Sequence, residues 1–396
     1  MNKYFSVLVL ALISAIAMGQ ELQNARPQSV VSPEITNGKV TFRIRAQEAN
    51  QVRLYGSWMS SFTDIEDLRK NTEGVWSITI DAPAPEIYTY NFVVDGVSKS
   101  DDANIFMQRD GRRFLSILLI DGPATAYYRE ANKRGNLDHV WYNSPAIGLT
   151  RRMFVYTPYG YADSNQQYPV LYLLHGGGGD EDAWSNMGRA CQILDNLIEQ
   201  GKATPMIVVM PNGNAGQQAA QTLMLPEKTF ERDPSASQGY LSFEGNIYVN
   251  SIVKDIVPYI ESHYRVIADS KHRAISGLSM GGGHTYYTSL RNPGLFSAMG
   301  VFSTGLFGMS SDAATYDPES EIPGILTNPK KWNDALDLFY ITCGETDPRI
   351  EPTRKVVKRF REAGLNLEYA EFPGGHEWHF WRKSLTEFAQ KIFINH

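Results

Sequence analysis

Residues 273–290 constrain this chain more than any others. A short run, Arg273-Ala274-Ile275-Ser276, enters Gly277-Leu278-Ser279-Met280-Gly281, and a helix-like run follows. A Gly-x-Ser-x-Gly segment between a strand and a helix makes a corner so tight that its central side chain stands clear of the backbone. The flanking glycines belong there because the corner needs strained dihedrals and close approach of helix to strand. A serine so presented acts as a nucleophile only if a base lies beside it. The corner therefore asks for a sheet, covering helices and a partner histidine.

The sheet is legible from about residue 149 onward. Strand-like runs at 152–157, 170–174, 206–210, 273–276, 298–303, 338–343 and 367–372 alternate with helix-like runs at 190–200, 247–263, 280–290, 353–363 and 378–394. That alternation predicts a mostly parallel sheet covered on both faces, with its functional loops at the carboxyl ends of the strands. Residues 27–121 read differently. Val40-Thr41-Phe42-Arg43-Ile44-Arg45, Val52-Arg53-Leu54-Tyr55, Trp76-Ser77-Ile78-Thr79-Ile80 and Tyr88-Thr89-Tyr90-Asn91-Phe92-Val93-Val94 alternate with period two, and Asp95-Gly96 is a hairpin-turn pair. Short strands at this spacing predict an all-β sandwich. Trp58 and Trp76 in it have two readings, a platform on which sugar rings stack or sandwich core. Residues 122–144 read as a linker, which leaves 145–396 for the second domain.

Three features supply chemistry around Ser279. The apolar run ending in Leu173-Leu174 leads into His175-Gly176-Gly177-Gly178-Gly179-Asp180, a glycine-rich loop able to aim backbone N–H groups at an oxyanion, with the N–H of Met280 as the second donor. A phosphate cradle would end in Gly-Lys-Ser/Thr, and this loop does not. The strand ending at Cys343 is followed by Gly344-Glu345-Thr346-Asp347, where an acidic partner belongs. Asp347 is preferred to Glu345, and Asp337 lies at the wrong end of the strand. Finally, Phe372-Pro373-Gly374-Gly375-His376 places a histidine in the loop after the last strand. The order Ser279, Asp347, His376 is that of the α/β-hydrolase fold. His379, between Trp378 and Trp381 in a helix-like run, is the rival. His175 and His284 read as structural, and His139, His263, His272 and His396 lie outside plausible catalytic loops. No His, Cys and carboxylate set has metal-ligand spacing, so neither a metal nor a cofactor is expected.

His175 to Gly179, Gly277 to Gly282 and Gly375-His376-Glu377-Trp378-His379-Phe380-Trp381-Arg382 together resemble the esterase-D-like carbohydrate esterases, which include feruloyl and acetylxylan esterases. The resemblance covers about residues 145–394. Gly74-Val75-Trp76, Ala82-Pro83-Ala84-Pro85-Glu86-Ile87-Tyr88-Thr89-Tyr90 and Val94-Asp95-Gly96 resemble early-set immunoglobulin-like modules of the glycogen-binding type. The resemblance thus implies an α/β-hydrolase catalytic domain behind an immunoglobulin-like sandwich. It implies a secreted serine esterase that cleaves feruloyl esters on arabinoxylan side chains through an acyl-enzyme, with Ser279, His376 and Asp347 as triad and the N–H groups of Gly177 and Met280 as oxyanion hole. Trp184, Phe307 and Trp378 then line an aromatic acyl slot, or else belong to the core. Enterochelin-type and formylglutathione hydrolases and mycolyl transferases share the fold, so the fold leaves the acyl group open. The alternatives are an acetylxylan esterase, an enterochelin-type siderophore esterase and a non-catalytic glycan-binding protein.

Composition narrows the partners. The formal charge of −6 is mild and both signs are scattered, which gives no nucleic-acid or anionic-membrane surface. The expected partner is plant cell-wall polysaccharide, feruloylated or acetylated xylan, and the oligomeric state is left open. Lys3, an apolar run to Ala17 and the small-x-small set Ala17-Met18-Gly19 predict a secretory signal over residues 1–19, and so a secreted or periplasmic product. A membrane anchor would need about 20 apolar residues. Cys191 and Cys343 read as small buried side chains rather than a bridge.

Overall fold

Period-two alternation builds the N-terminal part, as its burial shows. A computed structural model of the chain describes residues 30–59, 64–110, 113–216, 243–309 and 316–394, with the backbone alone for 243–245. The predicted signal segment and His396 lie outside them. The chain divides into two units, residues 1–83 with 89–106 and residues 84–88 with 107–396.

In the first unit, Lys39–Arg45 pairs antiparallel with Glu34–Thr36 on one side and Val75–Asp81 on the other. Val52–Gly56 pairs with Glu66–Asp67 and with Ile87–Val94, which turns through Asp95 and Gly96 into Val97–Lys99. Asp95 and Gly96 both have positive φ, 46° and 86°, as a tight two-residue hairpin turn requires. Val40, Phe42 and Ile44 point inward from one sheet, and Val52, Leu54, Tyr90 and Phe92 from the other. Phe42 and Tyr90 meet edge to face at 4.8 Å. Both tryptophans serve this core. Trp76 is buried and its indole N–H donates to the Ala46 carbonyl at 2.9 Å. Trp58 stacks on Phe42, its ring filling the space above Gly56 where a Cβ would stand 2.2 Å away. Trp76 is therefore core, while Trp58 packs on Phe42 and stays partly exposed.

The second unit carries an eight-stranded sheet: β1 (Asn136–Ser144), β2 (Leu149–Thr157), β3 (Val170–Leu174), β4 (Ile207–Pro211), β5 (Arg273–Leu278), β6 (Ala298–Phe302), β7 (Leu338–Gly344) and β8 (Glu368–Phe372), in the order β1-β2-β4-β3-β5-β6-β7-β8. β2 is antiparallel to β1 and β4; from β4 to β8 every pairing is parallel. The run β3 to β7 is buried at every position, apart from partly exposed Arg273 at the start of β5. That is the signature of strands covered on both faces.

Alternate residues feed two cores. Val170, Tyr172 and Leu174 face one, with Tyr286 and Leu290 of α3 (Met280–Arg291) and Val356 and Phe360 of α4 (Ile350–Glu362). Leu171 and Leu173 face the other, with Ile193 and Leu197 of α1 (Ala190–Glu199) and Leu385 and Phe388 of α5 (Trp378–Ala389). Between α1 and α3, residues 243–263 form a helix with one turn widened to a π-helix over Ile252–Ile256, which we label α2.

One expectation is corrected. Residues 136–144 are not linker but the edge strand β1, in register with β2 from Asn136 opposite Thr157 to Ser144 opposite Leu149. Most of β1 is exposed, so it carries no strong alternation. Met107–Asp110 and Arg113–Leu119 form a hairpin. Cys191 and Cys343 are free thiols, and burial pushes each up to about 12.

Candidate active site

The corner after β5 has the geometry that its glycines demand. Ser279 has φ 51° and ψ −111°, a region that costs a non-glycine residue about 1–3 kcal/mol. Its own N–H donates to the Phe302 carbonyl at 2.8 Å, and its carbonyl accepts from Gly283 at 3.2 Å as α3 begins. A Cβ on Gly277 would stand 2.5 Å from the Gly281 backbone, and one on Gly281 would stand 2.5 Å from the carbonyl oxygens of Leu174 and His175. The two glycines are thus packed backbone to backbone, and together they hold the strained serine.

The loops after β7 and β8 bring the other two side chains to it. Glu345 N–H donates to Phe372 O and Thr346 N–H to Gly374 O, both at 3.0 Å, so the loops are laced together. Gly374, at φ 123°, lets the backbone turn there, with the His379 ring against its Cα. His376 Nε2 lies 3.0 Å from Ser279 Oγ, and His376 Nδ1 lies 2.9 Å from Asp347 Oδ2. Asp347 is buried. Burial raises its pKa, but the hydrogen bond with His376 and the donors of Arg349 outweigh that and hold the carboxyl below the usual carboxylate range. Its other oxygen accepts from the Arg349 backbone N–H at 3.0 Å and from the Arg349 guanidinium at 3.2 Å. An ionised carboxylate can only accept, so the proton of His376 sits on Nδ1, and Nε2 is left to accept from the Ser279 hydroxyl. The Trp381 ring meets the imidazole edge to face at 4.8 Å and fixes its plane.

The glycine-rich loop follows β3 beside this corner. Its first carbonyl, that of Gly176, accepts from His175 Nδ1–H at 2.8 Å, while His175 Nε2 accepts from the Gly213 N–H at 2.7 Å. Both ring nitrogens are engaged in the neutral form, and burial lowers the His175 pKa. A Cβ added to Gly177 or Gly178 would meet nothing within 4 Å, so the loop borders open space. Met280 opens α3, where the first N–H groups of a helix have no intrahelical acceptor.

The remaining candidates sort cleanly. His379 pairs with Glu377 at 3.3 Å, and it is His376 that bridges Ser279 and Asp347. His284 is buried against Tyr248, and burial lowers it to about 3. Asp337 is exposed and paired with Lys271. Two proposed walls of an acyl slot are core instead. Trp184 is 1% exposed with its indole N–H donated to Leu174 O, and Phe307 is 2% exposed among Tyr286 and Tyr316. Trp378, half-buried, stands edge to face with Trp184 and Trp381 two residues beyond His376. Sequence reading passed over Arg349 and Trp381. The Asp347-Pro348-Arg349 spacing signalled the first, since a cation two residues from a buried carboxylate can fold back onto it.

Residues 144–392 match the protein family described as "Putative esterase". An endo-1,4-beta-xylanase/feruloyl esterase of Xylanibacter ruminicola is 30% identical over 366 residues, 90% of this chain and 45% of that protein, so the chain spans less than half of that relative's length. A solved ferulic acid esterase superposes with a TM-score of 0.52 at 25% identity, covering 66% of this chain and 100% of its own. The enterobactin esterase of Shigella flexneri, solved in the presence of 2,3-di-hydroxy-N-benzoyl-serine, superposes with a TM-score of 0.63 at 14% identity over 91% of this chain and 95% of its own. That last likeness is one of fold.

Proposed function

The chain belongs to the esterase family that its residues 144–392 match, and from that premise we propose that it is a secreted serine esterase releasing ferulate or a related hydroxycinnamate from arabinose side chains of xylan. One observation carries the chemistry: His376 spans the gap between Ser279 Oγ and Asp347 Oδ2, 3.0 Å on one side and 2.9 Å on the other. The acyl group is supported by the relative whose name includes feruloyl esterase and by the solved ferulic acid esterase.

In this reading Ser279 Oγ attacks the ester carbonyl while His376 Nε2 takes its proton, and Asp347 stabilises the imidazolium that forms. The carbonyl oxygen becomes an oxyanion held by the N–H groups of Gly177 and Met280, each worth about 2.7–4 kcal/mol of transition-state stabilisation. The sugar oxygen leaves with the proton from His376. Water, deprotonated by His376, then attacks the acyl-serine and releases the acid. Of the three proposed slot residues, Trp378 is the one kept as a contact for the aromatic acyl group, with its partly open face. Export is supported by the pattern of residues 1–19.

Initial rates on methyl ferulate and on acetylated xylan test the assignment. Faster turnover of methyl ferulate supports it. Release of acetate alone, or turnover of enterobactin in its place, would replace the acyl group with that of another branch.

A further inference from the structure

Four consecutive glycines, Gly176 to Gly179, form the loop that the proposed mechanism uses for the oxyanion. Such a run loses more backbone freedom on ordering than any other, so a fixed donor there has to be held from outside. Within the loop the Gly179 N–H donates to Gly176 O at 3.1 Å, and Asn214 Nδ2 donates to Gly179 O at 2.8 Å. The loop continues directly into Asp180-Glu181-Asp182, three carboxylates in succession, all buried. Buried carboxylates of this density persist only when paired.

Arg109, on the Met107–Asp110 strand of the hairpin, supplies the pairing. Its Nη2 donates to Asp180 Oδ2 and, at 2.9 Å, to Asp182 Oδ1, with the arginine side chain 12% exposed and the aspartates 3% and 6%. Asp182 N–H also donates to Asp180 Oδ1 at 3.2 Å, which closes the turn on itself. Glu181 takes a separate cation, Arg152, at 2.8 Å. The neighbouring Gln108 donates to the Asn186 carbonyl at 2.9 Å, so the hairpin grips the segment at two points. Burial, with Asp180 beside it, raises the Asp182 pKa, while the Arg109 guanidinium helps to hold Asp180 below its usual range. Arg109 lies outside residues 144–392, the part shared with the family.

We infer that Arg109 is a positioning residue, which fixes the far end of the Gly176–Gly179 loop through Asp180 and Asp182 and so sets the place of the Gly177 N–H. This rests on the serine-esterase reading above. Loss of one oxyanion donor lowers kcat by about 10²–10³, so Arg109→Met should lower kcat on methyl ferulate by about 10² with KM little changed. Arg109→Lys, which returns a point charge without the fork, should recover about tenfold of that loss. A boronic acid, whose serine adduct is a tetrahedral anion, should weaken in step with kcat, while inhibition by ferulate, a ground-state ligand, should stay as in the wild type. A purely structural role would move melting temperature, ferulate and boronate together, and that pattern overturns the inference. If Arg109→Met does not fold, Arg109→Lys is measured alone, and unchanged kcat and boronate affinity overturn the inference. Ser279→Ala keeps the two readings apart: an active Ser279→Ala enzyme defeats the serine mechanism, whereas an inactive one beside a fully active Arg109→Met enzyme defeats only this inference.

Discussion

Asp347→Asn exchanges one carboxylate oxygen for an amide nitrogen, and the surroundings of Asp347 decide which one. Oδ1 receives the Arg349 backbone N–H and its guanidinium, at 3.0 and 3.2 Å. Both are donors, so the amide oxygen of asparagine must stay there and the NH₂ group must turn toward His376 Nδ1, now 2.9 Å away. A donor facing Nδ1 drives the imidazole proton to Nε2, the nitrogen that has to accept from Ser279. The base is then present and in the wrong tautomer. In a Ser-His-Asp arrangement this change lowers kcat by about 10⁴, equivalent to about 5.4 kcal/mol at about 1.36 kcal/mol per decade. Initial rates on methyl ferulate, with circular dichroism to show that the variant is folded, measure it. A folded variant within tenfold of wild type would refute the tautomer reasoning.

Gly277→Ala and Gly281→Ala should each destabilise the second unit by about 1–3 kcal/mol or more, because the new methyl would meet backbone at 2.5 Å; chemical denaturation with unchanged midpoints would contradict this packing. Trp76→Phe keeps the ring in the sandwich core but leaves the Ala46 carbonyl without its indole donor, so the first unit should lose about 1 kcal/mol, read by tryptophan-independent thermal melting. The lowered pKa of Asp347 fixes the sign of a pH effect. Its folded carboxyl holds its proton less tightly than the unfolded one, so its contribution is complete above the usual value of about 3.9 and is lost as pH falls through the lower folded value. Wild-type unfolding free energy should therefore drop toward that of Asp347→Asn in acid, and parallel curves would contradict it.

Much of the second unit was legible because β3 to β7 are short apolar runs separated by helical periodicity, and because the elbow, the acidic loop and the late histidine each follow a strand. Asp347 could be chosen over Asp337 from strand polarity alone, since only one of them lies beyond a carboxyl end. β1 escaped notice because an edge strand exposed along most of its length has no apolar face to advertise. Trp184 and Phe307 were misplaced for a related reason: an aromatic side chain near a loop has the same signature whether it lines a slot or fills the core. Trp184 is decided by an indole N–H that finds Leu174 O, and Phe307 by rings from Tyr286 and Tyr316, neither of which neighbours it in sequence. The Arg109 pairing spans 71 and 73 residues to its aspartates, a distance at which sequence gives no register.

The measurement closest to the central claim is chromatography of the acids released from feruloylated arabinoxylan by the wild type and by Ser279→Ala. Ferulate as the main acid from the wild type, and none above background from the folded variant, is the predicted result. Acetate without ferulate would contradict the acyl assignment, and ferulate released equally by Ser279→Ala would contradict the place of Ser279 itself.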